Sequence, residues 1–170
     1  LHFDIDAVPD IAGHYHACTD GPYAERTICL WRGKIDRGLI WHEIDHGHTL
    51  FLLAADERVL VEHWKASAGG EYGIEHYPET QAFPHLRFLS RHGTRDDGED
   101  RAEWRRYVYL LLWKIHRAKS GHKEDVQNPI ERLDRAGIKE YLHRLHWFLA
   151  YGVITWEDYV TLEFQPCFKP

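Results

Sequence analysis

The sequence is short of cysteine, of long apolar runs and of positive charge, and each shortage removes a class of answer. Three cysteines, Cys18, Cys29 and Cys167, are too few for a disulfide framework. An odd thiol count suits a reducing compartment, so the expected location is cytoplasmic. No stretch approaches the ~18 consecutive apolar residues that crossing a bilayer requires, so no membrane partner is expected. The chain opens on Leu1-His2-Phe3-Asp4, without an initiator Met and without the basic-then-apolar order of a signal peptide. A net charge of −6 argues against general binding of nucleic acid.

That charge is unevenly spread. Residues 1–86 carry 6 basic and 14 acidic side chains, whereas residues 87–170 carry 15 and 13. The stretch 101–123 holds seven Lys/Arg against Glu103 alone; a solvated helix face is the favoured account of it, with a nucleic-acid contact there as the lesser alternative. A length of 170 residues suits one well-buried core, hence a single domain over 1–170. Seven Trp, nine Tyr and seven Phe supply bulky material for it. Histidine is what stands out: there are 14.

The second half, 96–170, reads as helical. Trp104, Val108, Leu111, Leu112 and Ile115 fall at helical spacing between Glu99 and Lys119. Acidic residues open that helix and Lys114, Arg117 and Lys119 close it before Gly121, as the helix dipole favours. Asn128-Pro129-Ile130-Glu131 is a start signal for a helix expected to end near Gly137. Ile138, Leu142, Leu145 and Leu149 predict another, stopped by Gly152, and Thr155-Trp156-Glu157-Asp158 opens a short last one. The first half, 1–95, reads as strand-rich: 1–5, 26–31 and 86–90 look like strands separated by Gly and Pro clusters. Residues 36–68 fit either helices or a meander with a hairpin at 49–64. The expected architecture is therefore α+β, a strand-rich N-terminal half packed on a helical C-terminal half.

The candidate chemistry lies in His42-Glu43-Ile44-Asp45-His46. Two histidines four residues apart share a face on a helix, because four is close to 3.6, and also on a strand, because four is even. On a helix Glu43 can stand beside a metal-bound water as general base. On a strand Glu43 points away and His48 joins the other two instead. Both versions bind a divalent metal, with zinc expected and iron or nickel compatible. The helical version predicts hydrolysis of an amide or related bond in a small-molecule or peptide substrate. Glu57, Glu62 or His63 could be a downstream third ligand, and Glu62 is carried forward.

The string His42-Glu43-Ile44-Asp45-His46, followed by the apolar Leu50 to Leu53, resembles the metal-binding helix of the peptide deformylases, a group of His-Glu-x-x-His zinc hydrolases. The resemblance spans about 25 residues of the chain. It implies metal ligation by His42, His46 and Cys29, with Glu43 as general base; in that family the Cys is followed by Leu on a preceding strand, and here Cys29-Leu30 occupies the place. Cys29 stands only 13 residues before His42, a shorter interval than the family's, and no glycine-rich Gln motif is present.

Other readings compete. A non-catalytic, histidine-rich interaction protein needs no metal. Phe3-Asp4-Ile5-Asp6 with Ser90-Arg91-His92 resembles the metal-binding Asp-x-Asp strand and Ser-x-His motif of primases, implying two-metal nucleotidyl transfer at Asp4 and Asp6. His46-x-His48 leading into a hairpin is similar to a cupin's three-histidine site. His14, His16 and Cys18 alternate, as three ligands on one strand face would.

Overall fold

The computed structural model describes residues 2–4, 13–16, 27–30, 36–52, 62–64, 72, 88–90, 92–123 and 135–163. Three short strands, β1 (His2–Asp4), β2 (Gly13–His16) and β3 (Thr27–Leu30), form a sheet in the order β1-β3-β2. β1 runs parallel to β3 and β2 antiparallel to it. Among the described residues, four helices of eight residues or more carry most of the rest: α1 (Arg37–Leu52), α2 (Asp97–Lys119), α3 (Arg135–Ala150) and α4 (Trp156–Glu163).

This overturns the strand-rich N-terminal half. Strands of 3, 4 and 4 residues are outweighed by helices of 16, 23, 16 and 8, so the described protein is predominantly helical. The expected strand at 86–90 is a bend where it is described, at 88–90, and the hairpin over 49–64 meets helix at both described ends, 49–52 and 62–64. The cupin-like reading falls with that hairpin, since His46 and His48 lie on α1. Residues 37–52, which fit helix and meander alike, form the helix that Asp36 caps. Asp36 accepts from the Leu39 backbone N–H at 2.7 Å, the N-cap contact that starts α1.

α2 is the spine of the molecule. Asp96 caps it from an extended backbone (φ −159°), accepting from Glu99 N–H at 2.9 Å. Asp97, Glu99 and Asp100 lie at its positive end and His116, Arg117 and Lys119 at its negative end. Gly121, at φ 82°, takes the left-handed turn that lets His122 N–H reach back to Arg117 O at 3.1 Å. One face of α2 buries Trp104, Val108, Leu111, Leu112 and Ile115 against Tyr141, Leu145 and Phe148 of α3, Tyr159 and Leu162 of α4, and Trp64. Each such side chain contributes about 1.5–3 kcal/mol by leaving water. Gly137 does not end a helix as expected; it lies inside α3, whose packing face continues through it. The start signal at 128–131 falls outside the described residues.

The opposite side of α2 receives α1, and the two run antiparallel. Along α1 from Gly38 to His42 to His46, the partners on α2 step back from Leu110 and Arg106 to Glu103 to Glu99. Gly38 permits the approach, because a Cβ there would stand 2.6 Å from Arg106 Nε. Asp45, 1 % exposed, fastens the pair: Arg101 Nε donates to its Oδ2 at 2.8 Å and Arg105 Nη1 to its Oδ1 at 3.3 Å. Two of the seven basic residues in 101–123 are thus buried in ion pairs, so the stretch is not a continuous basic surface.

Candidate metal centre

The pairing of His42 with His46 holds, in its helical form. One turn of α1 separates the rings, and their Nε2 atoms stand 3.3 Å apart. Across the groove α2 presents Glu99 and Glu103, also one turn apart. Glu99 Oε2 lies 3.1 Å from His42 Nε2 and 3.5 Å from His46 Nε2, so His42, His46 and Glu99 bring three ligand atoms together. The third member expected from the sequence was different. Glu62 is exposed in the helical turn 62–64 and lies outside this group. The side chains of Cys29 and His48 fall outside the described residues, as do those of Asp4, His14 and His16 and the whole of Asp6 and Cys18.

Two further groups complete the cluster. Glu103 Oε1 approaches His42 Nδ1 at 2.9 Å, and His92, on the 3-10 turn His92–Thr94, brings its Nε2 to 2.8 Å from Glu99 Oε2. The contacts are short yet poorly aligned for hydrogen bonding: His42 Nδ1 and Glu99 Oε2 are buried atoms that no N–H bond points along. Burial opposes protonation of His42, but Glu103 and Glu99 outweigh it and push the imidazole up to about 9. Burial likewise opposes ionisation of Glu99, and the imidazoles of His42, His46 and His92 outweigh it, holding that carboxyl well below the usual carboxylate range. Glu103 is lowered against burial in the same way, chiefly by His42. His92 is raised, first by Glu99, with partial burial opposing.

The donor set fits a divalent cation. Ligand atoms ~2.0–2.1 Å from a tetrahedral ion stand about 3.3–3.4 Å from one another. The triangle of His42 Nε2, His46 Nε2 and Glu99 Oε2 has sides of 3.3, 3.1 and 3.5 Å. Two imidazoles and one carboxylate suit zinc, iron or nickel. Three protein ligands also leave a tetrahedral position open, the arrangement of catalytic rather than structural zinc. Glu43, 3 % exposed, follows His42 directly on α1, and its charge favours the His42 proton.

Comparison with protein-family models, with curated proteins and with solved structures finds no match. Of the ligand group the sequence reading identified His42 and His46, with Glu43 offered as a base, and missed Glu99 together with its neighbours Glu103 and His92. A signal was present: Glu99 and Glu103 repeat the four-residue spacing of the histidines on the most clearly helical stretch of the chain. Complementing the helix dipole was explanation enough for the acids. Among the described residues, no helix is long and apolar enough to cross a membrane.

Proposed function

We propose that this chain is a metal-dependent hydrolase, with zinc the first candidate, acting on an amide or related bond. The observation that supports it is the triangle of His42, His46 and Glu99, whose edges match those of a three-ligand tetrahedral site. When bound, such a cation polarises a water in its open position, bringing the water's pKa towards ~7. The chain's own residues do the rest. His42 and His46 present Nε2 and Glu99 presents Oε2; Glu103, behind His42 Nδ1, orients that ring. Glu43 is the general base that takes the proton of the attacking water.

The burial of Glu43 favours a second reading, a non-catalytic protein in which the same cation staples α1 to α2. Elemental analysis of the purified protein, beside turnover on chromogenic amide and ester substrates, separates the readings. The expected results are near-stoichiometric metal in the parent, loss of metal in His42→Ala, and loss of turnover with metal retained in Glu43→Gln. A parent without metal after zinc supplementation ends both readings. Metal without turnover on any substrate, or full turnover in Glu43→Gln, ends the role given to Glu43.

A further inference from the structure

Exposure rises along one path out of the cluster: the side chains of His42 and Glu99 are 6 % and 14 % exposed, those of His92 and Arg95 53 % and 69 %. Both outer residues belong to one rigid turn. Gly93 and Thr94 are buried beneath it, Gly93 N–H donates to Ser90 Oγ at 3.2 Å, and Arg95 N–H to His92 O at 3.1 Å. At Gly93 a Cβ would meet Asp100 Cα at 3.4 Å, so the turn rests directly on α2. It therefore holds an imidazole and a guanidinium at the entrance.

Arg95 is loosely engaged there. Its Nη1 lies 3.6 Å from Glu99 Oε1 and its Nε 3.6 Å from Asp96 Oδ2, beyond hydrogen-bond length in both cases. Asp96 itself is engaged, through Oδ1, with Glu99 N–H. A divalent ion held by two neutral imidazoles and one carboxylate retains a net positive charge, and Arg95 adds a second positive centre beside it. A guanidinium fork matches the oxygens of carboxylate and phosphate bidentately, which a point charge does not.

We propose that Arg95, assisted by His92, binds an oxyanion of the substrate, a carboxylate or a phosphate placed next to the bond that is cut. The substrate class is thus an anionic compound whose charged end sits at the turn 92–95 while its reacting end sits at His42, His46 and Glu99. This rests on the metal-centre reading.

The test uses the full chain loaded with cobalt(II), whose visible absorption reports its coordination, titrated with inorganic phosphate and separately with acetate. The expected result is a spectral change with at least one anion, its apparent affinity about tenfold weaker in Arg95→Gln and intermediate in Arg95→Lys. A response to phosphate alone or to acetate alone supports the inference and assigns the oxyanion. A parent with no cobalt spectrum overturns the metal centre and this inference with it. A normal cobalt spectrum that neither anion changes, or an affinity unaltered in Arg95→Gln, overturns this inference alone. Arg95 is exposed and weakly held, so its replacement leaves the fold intact.

Discussion

α2 carries two polar networks within its first three turns, and they are built on opposite rules. Arg101 and Arg105 close on Asp45, while Asp100 meets Arg144, Trp64 and Tyr72, at 3.2, 2.8 and 3.1 Å. There each anion has a cation, and Asp45 and Asp100 both receive hydrogen bonds. Arg144 is wholly buried, with its guanidinium 4.0 Å from the Trp64 ring centre. The cluster of His42, His46, His92, Glu99 and Glu103 has comparable distances and lacks that complementarity. Two imidazole nitrogens face each other at 3.3 Å, three imidazoles crowd one carboxylate oxygen, and His42 Nδ1 and Glu99 Oε2 have no hydrogen-bond partner among the described residues. The first network is complete in charge, each anion having its cation, although Asp100 Oδ1, Arg105 Nε and Arg144 Nη1 and Nη2 have no hydrogen-bond partner among the same residues. The second is arranged around a point that a cation would fill.

Breaking the complete network has the largest expected effect. Asp45→Ala leaves two buried guanidiniums without their anion, which costs about 3–5 kcal/mol. Set against a typical stability of about 5–15 kcal/mol, that loss brings the chain close to unfolding. Chemical denaturation of the metal-free protein measures it. Replacing Asp45 without loss of stability would show that the two networks do not differ in kind.

The next effect is one of pH, and its window separates the networks. In the metal-free protein the pKa of His42 is raised from 6.5 to about 9. Its contribution to stability is therefore full below pH 6.5 and lost as pH rises through about 9. Glu99 and Glu103, lowered from 4.5, act the other way: their contribution is present above that value and lost on acidification. These are the same attractions seen from either partner and are counted once. Asp100 in the complete network is pushed by burial up to about 6, despite Arg144, so its loss of stability on ionisation falls at lower pH than that of His42. Metal binding requires neutral imidazole, so affinity rises with pH across the window in which metal-free stability falls. Denaturation and metal titrations from pH 6 to 9.5 check both slopes. His42→Gln should flatten the stability slope, and a slope unchanged in that variant would assign it to another group.

Much of this was legible in the chain, but unevenly. The core face of α2, its caps and the opening of α4 at Thr155 follow from spacing and cap chemistry, which act within a few residues. His42 and His46 were found because their spacing serves helix and strand alike. The helical form of 36–52, opened by an Asp36 cap, was one of two alternatives, since both periods fit the segment and only the structure shows the cap made. Glu99 was out of reach for a different reason. It joins the histidines only because α1 and α2 pack antiparallel in a register set by Gly38 against Arg106 and Leu110 and by Asp45 against Arg101 and Arg105. Asp45 in turn looked like part of a ligand motif and is a fastening between helices. Local patterns carry no record of which helix lies across the groove.

The smallest effect is the one that sharpens the comparison most, because it concerns a residue that either network could claim. Glu103 stands 2.9 Å from His42 Nδ1 and 3.6 Å from Arg106 Nη1, so it is at once an imidazole's neighbour and one half of an ion pair. If its task is to orient His42, Glu103→Ala weakens metal binding by ~10–100-fold, the usual consequence of removing the group behind a ligating histidine. Glu103→Gln then loses less, because the amide oxygen still places partial negative charge beside His42 Nδ1. If its task is to balance Arg106, both variants leave metal affinity near the parent's, and stability falls by no more than the ~1 kcal/mol typical of a partly exposed pair. Isothermal titration with zinc, run beside thermal denaturation of the metal-free variants, reads the two quantities separately. Equal zinc affinity in parent and Glu103→Ala would make Glu103 the partner of Arg106 and leave the orientation of His42 to its other contacts.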